Sequence, residues 1–291
     1  MKLIDLFTLS QARLEKIFSI YLKNTPTHAP LLQEAMAYSV LNDGKRIRPA
    51  LVYMANPLFN APLENCDIAA CAIEFIHTYS LIHDDLPAMD NSDLRRGKPA
   101  CHKKYGEAIA ILAGDTLQPL SFEVIATHPA PLENSQRISM IQVLAKASGY
   151  NGMAAGQAID IVGVQSPKEL TNMYKLKTGA LLNASLQLGA IAGNIQEPAI
   201  LDALEKFAYD LGLAFQIQDD LLDMKGEAIT GKTQGVDAAN NKATYPILFG
   251  IEKSAEKIQE LHQEALTAVS CLGDKANILH EFANYIMQRK K

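Results

Sequence analysis

The chain has 291 residues, a formal net charge of −5 and an apolar content of 48%. Its length permits one large domain or two ordinary ones, and its apolar content is enough for a sizeable core. The acidic balance argues against general nucleic-acid binding, which needs a broad basic surface.

Helical periodicity dominates the chain. Apolar residues between 68 and 82 recur at three- and four-residue steps, which predicts a helix. A second helix is predicted over 166–193, because residues 166–169 fit a capping box with proline at the first helical position. Residues 201–222 are apolar nearly all round, which predicts a buried helix.

Breaks and loops separate these helices. Pro- and Asn-rich breaks lie near 56–62, 128–134 and 194–198, and two longer polar segments cover about 86–105 and 224–246. No Asn-Gly or Asp-Gly turn joins two alternating runs, so no hairpin is predicted. Loops of that length inside a compact domain are usually functional or disordered. We predict one all-α domain over residues 1–291, with both long loops at one end.

The four cysteines form no CxxC pair, so neither a zinc site nor a redox motif is expected. Free thiols in a cytoplasmic protein are the simple expectation. The first residues are too charged for a signal peptide. No uncharged apolar run reaches the length of a membrane span, so none is expected.

The first acidic cluster, Asp84, Asp85 and Asp90, follows an apolar helical run. Its outer aspartates are six residues apart and therefore out of phase on a straight helix. Pro87 disfavours helical geometry at the residue before it and can end the helix, so Asp90 can return from a loop. Aspartates at a helix C-terminus oppose the helix dipole, and a cation nearby is expected to offset that cost.

The second acidic cluster is Asp219, Asp220 and Asp223. Asp219 and Asp223 are four residues apart and share a helix face, and Gln216 lies one turn earlier on a similar face. Solvated helix ends would explain one such cluster, but two clusters after apolar helices favour a binding site. Because Mg²⁺ is held by a few carboxylates, waters and substrate phosphates, we predict Mg²⁺ and a diphosphate between the clusters.

Basic segments accompany the acidic ones. They are residues 44–49, residues 95–98, Lys232 and Lys242. Arginine suits phosphate through its planar fork of donors, and lysine serves as a point charge. A solvated surface, or pairing with the neighbouring aspartates, remains an alternative for each. His77 lies two helical turns before the first aspartate on the same face, where it is either structural or part of the site.

Seven segments occur in the order typical of one enzyme family: GKRIRP, EFIHTYSLIHDDLPAMDNSDLRRGKP, GDTLQ, GQAID, KTG, FQIQDDLLD and GKTQGVDAANNKATYP. Through them most of the chain resembles the trans-isoprenyl diphosphate synthases, especially the bacterial members that make farnesyl diphosphate. The resemblance implies an all-helical bundle around a deep central cavity, usually a homodimer. It also implies dependence on Mg²⁺, with about three ions per site when substrate is bound and Mn²⁺ as a substitute.

The resemblance also implies roles for individual residues. The metal ligands would be Asp84, Asp85, Asp90, Asp219, Asp220 and Asp223. Isopentenyl diphosphate would bind at Lys45, Arg48, His77 and Arg96, and the allylic diphosphate at Arg95, Lys177, Lys232 and Lys242. Thr178 and Gln216 would lie near the developing carbocation and, with Lys177, Asp84 and Asp219, would form the catalytic group.

The resemblance also implies how long the prenyl product is. Tyr79 is an aromatic residue five places before the first aspartate, and Ser80 follows it. In the family this pattern resembles a cavity floor that stops growth at farnesyl length. The starter would be dimethylallyl or geranyl diphosphate. One departure is Asp43, where many members have glycine before the basic run. The alternatives are a geranylgeranyl or geranyl diphosphate synthase, a terpene cyclase, an inactive partner subunit, and a general Mg²⁺- or phosphate-binding module.

Overall fold

The breaks in apolar periodicity coincide with helix ends in the computed structural model, which describes residues 2–23, 28–195, 197–224 and 243–288. The first seven described helices are α1 (Leu3–Leu22), α2 (Pro30–Val40), α3 (Ile47–Phe59), α4 (Leu63–Asp84), α5 (Cys101–Tyr105), α6 (Glu107–Thr127) and α7 (Asn134–Ser148). The others are α8 (Met153–Val162), α9 (Pro167–Tyr174), α10 (Ala180–Ala192), α11 (Pro198–Met224), α12 (Tyr245–Phe249), α13 (Ile251–Ala268) and α14 (Asn277–Met287). The all-α prediction is confirmed.

Helix α4 lies inside the bundle. It packs against α1, α2, α3, α6, α7 and α10. Its side chains are buried on several faces, among them Ile68, Ile73 and Phe75, because a helix that is apolar all round can be surrounded by others. The helix therefore starts in the core and delivers its acidic C-terminal end to the region where the predicted site residues gather.

The predicted helix over 166–193 is interrupted. Ser166 caps α9, since its Oγ accepts a hydrogen bond from the Glu169 amide at 3.3 Å. A π-helical turn (Lys175–Gly179) then separates α9 from α10, which ends before Gly193 as expected. Turns of this kind are frequent at functional sites, and apolar periodicity alone does not reveal them.

Helix α11 is amphipathic rather than buried all round, so that part of the prediction is wrong. Phe207 and Leu211 face the core, whereas Lys206 lies on the outer side. The Lys206 ammonium donates to Asp210 at 2.8 Å and to Glu264 on α13 at 3.1 Å. The polar residues scattered through this apolar segment therefore mark its solvent-facing side.

A short hairpin, which the sequence pattern did not predict, follows α4. Strands β1 (Leu94–Arg95) and β2 (Lys98–Pro99) pair antiparallel. Arg96 and Gly97 form a two-residue turn with φ values of +54° and +76°, as a type I′ turn requires. This turn brings Arg95 and Arg96 back beside the end of α4. A 3-10 turn (Ser270–Ala276) precedes α14.

Two further expectations concern thiols and membranes. All four cysteines are free; Cys66, Cys71 and Cys101 are buried and Cys271 is exposed. Among the described residues, α6 is the one helix whose length and mean hydropathy of 1.3 would allow it to cross a membrane. It packs against α4, α2 and α5 in this structure.

Candidate active site

The first acidic cluster lies where α4 ends. The helix runs to Asp84, and Asp85 is its C-terminal cap. Beyond Pro87 the chain turns back, so that the Asp90 amide donates to the Asp84 carbonyl oxygen at 2.8 Å. The loop therefore returns Asp90 to the helix end, as the proline predicts, although a straight helix would separate the two aspartates.

The carboxylates of this cluster are crowded. Burial raises the pKa of Asp84 to about 6; the Lys177 ammonium opposes this shift, and the Asp90 carboxylate adds to it. Neighbouring carboxylates that disfavour each other's charge are the setting in which a bound cation is most favourable.

Asp85, a predicted metal ligand, forms an ion pair with Arg95, a predicted diphosphate ligand. Asp85 is 2% exposed, and the Arg95 Nε lies 3.0 Å from its Oδ2, while Arg95 Nη2 contacts Oδ1. This bidentate pair ties the hairpin to the end of α4. The predictions that Asp85 binds a metal and that Arg95 binds a diphosphate stay predictions.

The second acidic cluster lies near the C-terminal end of α11. Asp220 points into the protein, where it accepts hydrogen bonds from the Tyr174 hydroxyl at 2.5 Å and from the Tyr245 amide at 3.2 Å. Asp219 and Asp220 both line one cavity, and Asp223 is half-buried. The hydrogen bonds to Tyr174 and to the Tyr245 amide, which come from other parts of the fold, distinguish Asp220, and spacing on one helix does not predict them.

The two clusters meet across a cavity. Asp90 and Asp219 line a space of about 790 Å³ together with Lys177. Lys177 also lines an adjoining space of about 990 Å³, which has Asp84 and Tyr79 in its wall. Its apolar lining comes from Leu81, Met89, Met153, Ala154, Ala158 and Ile161. A charged region therefore lies beside a largely apolar one, which is the arrangement expected for an amphipathic ligand.

The π-helical turn carries Lys177 and Thr178 into this junction. The Lys177 ammonium donates to Asp160 on α8 at 2.7 Å. The Thr178 hydroxyl donates to the Gln216 side-chain oxygen on α11 at 3.1 Å. Because the turn is held from two sides by different helices, the positions of both side chains are set by packing rather than by local sequence.

Half-buried cations form a second charged region. Arg48 Nη1 lies 3.2 Å from His77 Nε2. Because a guanidinium only donates, Nε2 is the acceptor and a neutral His77 carries its proton on Nδ1. Burial lowers the pKa of His77 well below its usual value, and the Arg48 and Arg96 charges lower it further. Burial also lowers the pKa of Arg48 to about 10, against the opposing charge of Glu74.

This region favours an anion. Glu74, 1% exposed, is paired with Arg46 at 2.5 Å. Within the part of the chain that the structure describes, no carboxylate lies within 4.0 Å of Arg48 or Arg96. Burial lowers the pKa of Arg96, while the charges of Glu74 and Asp43 oppose that shift. Clustered, desolvated guanidiniums are stabilised by a phosphate group.

Gly44 makes room for one of these cations. A Cβ atom at this residue would lie 2.6 Å from the Cζ and Nη1 atoms of Arg96. The Arg96 guanidinium also donates from Nη1 to the Asn42 carbonyl oxygen at 3.2 Å. The segment before the basic run therefore supports Arg96 directly, and Asp43 is an exposed neighbour whose charge acts on it.

The predicted chain-length residues lie in the wall of the larger space. Tyr79 and Ser80 both line it, and Tyr79 is 9% exposed. The Ser80 hydroxyl donates to the His77 carbonyl oxygen of its own helix at 2.9 Å. Burial, with the charge of Asp84, raises the pKa of Tyr79 to about 12, so its hydroxyl keeps its proton. The effect of Tyr79 and Ser80 on product length stays a prediction.

The donor set fits Mg²⁺ as an ion shared with a substrate. Among the described residues, no three His, Cys, Asp or Glu side chains lie close enough to hold a metal by themselves. Asp84, Asp90 and Asp219 nevertheless present hard oxygen donors to the cavities. Mg²⁺ typically uses one or two carboxylates and completes its shell with waters and phosphates, which this arrangement permits.

Three of the predicted diphosphate ligands are not placed in the walls of these cavities by the described part of the structure. Lys232 and Lys242 lie outside the described residues, and Lys45 is exposed beside the basic region. The sequence analysis also missed residues that the fold brings to the site. Asp160 holds Lys177, and both amide heteroatoms of Gln157, which lines the larger space, are buried without a hydrogen-bond partner. Their signal in the sequence is the GQAID segment, residues 156–160, for which the resemblance above implies no residue roles.

Known proteins are similar to this chain in sequence and in fold. The family model described as "Polyprenyl synthetase" matches residues 29–282. The farnesyl diphosphate synthase of Escherichia coli strain K12 is 44% identical over 290 residues, which cover 97% of this chain and 95% of that protein. A chloroplastic geranylgeranyl pyrophosphate synthase of Catharanthus roseus is 43% identical over 267 residues, covering 89% and 74%. The crystal structure of a geranyltransferase from Legionella pneumophila superposes with a TM-score of 0.88 at 36% identity, covering 99% of this chain and 97% of that one.

Proposed function

Since the chain belongs to the polyprenyl synthetase family, we propose that it is a prenyltransferase that joins isopentenyl diphosphate to an allylic diphosphate and makes farnesyl diphosphate. The observation that carries this proposal is the pair of adjoining cavities with Lys177 in the walls of both. One is lined by aspartates of both clusters and suits a diphosphate. The other is largely apolar and suits a prenyl tail.

Isopentenyl diphosphate binds at the half-buried cations. Arg48 and Arg96 supply the charge, and Lys45 completes the site from the surface. His77 is held neutral by its surroundings, so it orients Arg48 or donates through Nδ1 rather than adding charge. A diphosphate there relieves the desolvation cost of two guanidiniums, so the binding free energy is larger than at an exposed site.

The allylic diphosphate binds between the aspartate clusters. Mg²⁺, when bound, supplies positive charge that stabilises the departing diphosphate. Lys177 and Arg95 bind the same group from the protein, and Lys232 and Lys242 are proposed as further ligands. Since Lys177 is held by Asp160 at 2.7 Å, its position is set before the charge develops, which is the condition for effective electrostatic catalysis.

The reaction then proceeds in three steps. The carbon–oxygen bond of the allylic diphosphate breaks, and diphosphate leaves with the electron pair. The double bond of isopentenyl diphosphate attacks the allylic cation and forms the new carbon–carbon bond. A proton is lost to the released diphosphate, which restores a double bond. Thr178 and Gln216, which are hydrogen-bonded to each other, direct oxygen dipoles toward the cation, and the apolar wall excludes water.

We propose a single domain over the whole chain, a homodimer, and a cytoplasmic location. The exposed Ile111 and Leu112 on α6 support an apolar interface. Free cysteines fit a reducing compartment. Sedimentation of the wild-type protein and of Leu112→Asp tests the dimer: a monomeric wild type contradicts it.

The test is direct product analysis. Purified protein is incubated with Mg²⁺, dimethylallyl diphosphate and isopentenyl diphosphate; the products are dephosphorylated and the alcohols identified by mass spectrometry. Farnesol is expected as the main product. Mainly geranylgeraniol would keep the chemistry and overturn the product. No condensation by folded protein would favour a cyclase or an inactive partner subunit.

Two sets of variants test the residues. Asp84→Ala and Asp219→Ala are expected to lose nearly all turnover even in saturating Mg²⁺, while exposed Asp93→Ala keeps it. Near-normal turnover of either cluster variant would contradict the proposed diphosphate site. Tyr79→Ala is expected to lengthen the product, and an unchanged product would remove Tyr79 as its determinant.

A further inference from the structure

His83 stands between α6 and the larger cavity. It precedes Asp84 on α4, and its side chain lines the same space of about 990 Å³ as Tyr79. On its other side it meets the backbone of α6. His83 Nε2 lies 3.1 Å from the Ile111 carbonyl oxygen and 3.9 Å from the Asp115 carboxylate. The ring is therefore anchored on one side and faces the cavity on the other.

The anchor determines which nitrogen carries a proton. A carbonyl oxygen only accepts hydrogen bonds, so Nε2 of His83 is the donor to Ile111. Since the acceptor belongs to the backbone of α6, the ring position depends on the helix and not on the Ile111 side chain.

Gly114 is what allows the ring to lie so close to α6. A Cβ atom at this residue would lie 2.1 Å from His83 Nε2, 2.5 Å from Cδ2 and 2.9 Å from Cε1. The imidazole thus occupies the volume that any other residue would use for its Cβ. A methyl group there would push the ring away from α6 and toward the cavity that it lines.

The ring in turn supports the proposed floor of that cavity. His83 and Tyr79 lie one helical turn apart, with ring centroids 5.8 Å apart and an interplanar angle of 75°. This edge-to-face contact is a favourable aromatic geometry. An imidazole pushed into the cavity therefore pushes the Tyr79 phenol with it, whereas removal of the imidazole leaves the phenol without this support.

We propose that Gly114 is a positioning residue that sets product chain length from α6, by fixing His83 and through it Tyr79. The proposal rests on the prenyltransferase function above. It predicts opposite effects for two substitutions. Gly114→Ala narrows the cavity and shortens the product, whereas His83→Ala widens the cavity, removes the support of Tyr79 and lengthens the product.

The experiment measures the ratio of product alcohols for the wild type, Gly114→Ala, His83→Ala and the double variant. Gly114→Ala is expected to raise the geraniol-to-farnesol ratio about fourfold, the factor corresponding to one displaced methylene of product. His83→Ala is expected to raise geranylgeraniol by at least the same factor. The double variant is expected to match His83→Ala, because no ring remains for the methyl group to push.

Thr116→Ala is the matched control, because it removes a side-chain hydroxyl from the same part of α6 but keeps Gly114 and the Ile111 carbonyl acceptor; its product ratio is expected to equal that of the wild type. A variant that is merely less stable loses total turnover without changing the ratio. Unchanged ratios in both single variants, or shifts in the same direction, would overturn the proposal.

If Gly114→Ala fails to fold, His83→Ala decides alone: longer products support the proposal and wild-type products contradict it. A wild-type protein that forms no prenyl product overturns the proposed function and this inference together. Wild-type farnesol with unaltered variants overturns only the positioning role.

Discussion

Replacing Gly156 with alanine would force α8 away from the π-helical turn. A Cβ atom at residue 156 would lie 2.3 Å from the Lys177 backbone nitrogen and 2.6 Å from its Cα. Ordinary contacts begin near 3.4 Å, so the two backbones must separate by about 1 Å. No side-chain rotation can relieve the contact, because both atoms belong to the main chain.

Moving the two backbones apart is expected to lower kcat more than it lowers the stability of the fold. Overpacking costs about 1–3 kcal/mol, and about 0.5–1 kcal/mol is recovered because alanine favours a helix over glycine. The melting temperature should therefore fall by only a few degrees. The same gap is bridged by the 2.7 Å ion pair between Lys177 and Asp160, so Lys177 moves with the turn. A displacement of about 1 Å in a positioned group can lower the rate about 100-fold, and we expect kcat to fall by that factor.

Gly212→Ala is the matched control, on the opposite side of the same turn. Its Cβ would lie 3.1 Å from Leu182 Cδ1 and 3.3 Å from the Gly179 Cα, so a shift of a few tenths of an ångström suffices. We expect kcat to fall less than about tenfold in this variant. Steady-state kinetics with both substrates and calorimetric melting compare the two. Wild-type kcat in Gly156→Ala, or a larger loss in Gly212→Ala, would refute the reasoning.

Three further predictions concern the half-buried cations Arg48 and Arg96 and their neighbours. Arg48→Met should raise the KM for isopentenyl diphosphate at least about tenfold in steady-state assays, since charge-assisted hydrogen bonds are lost, while the melting temperature stays equal or rises; an unchanged KM would contradict this role. His77→Asn should make the folded protein less sensitive to acid. Below pH 6.5 the unfolded chain protonates His77 but the folded protein does not, so the wild type loses up to about 1.4 kcal/mol of unfolding free energy per pH unit through this residue. Urea unfolding at pH 7.5 and 5.5 checks this, with the exposed His28→Asn as control; equal pH dependence in both variants would argue against it. Asp43→Asn should lower the KM for isopentenyl diphosphate by less than about fivefold, because an exposed charge near Arg96 is largely screened, and a raised KM would show that Asp43 supports the site.

Local sequence was sufficient for much of the fold and for the placement of both acidic clusters near helix ends. The recurrence of apolar residues at three- and four-residue steps between 68 and 82 predicted a helix, and Pro87 predicted that the chain would leave it. The return of Asp90 to the Asp84 carbonyl follows from that break. These features depend on neighbours within one or two helical turns, which a sequence pattern reports directly.

Contacts between distant segments were not predictable in the same way. The Arg95–Asp85 pair depends on a two-residue hairpin turn with positive φ at Arg96, which carries no Asn-Gly or Asp-Gly signal. The π-helical turn is hidden in a helical pattern, because one extra residue per turn hardly alters the apolar periodicity. Asp160 acquires its role only because α8 passes beside Lys177.

By itself, the sequence determined an all-helical chain, two carboxylate clusters at helix ends and a set of cations suited to diphosphates, because residue type and short-range spacing decide those properties. Only the tertiary structure decided which carboxylates face the cavity, which cations are buried and paired, and how closely α6 and α8 approach the site. Those outcomes depend on the packing of helices far apart in the chain. There, the absence of a single Cβ, at Gly114 or Gly156, sets how closely one helix approaches the next.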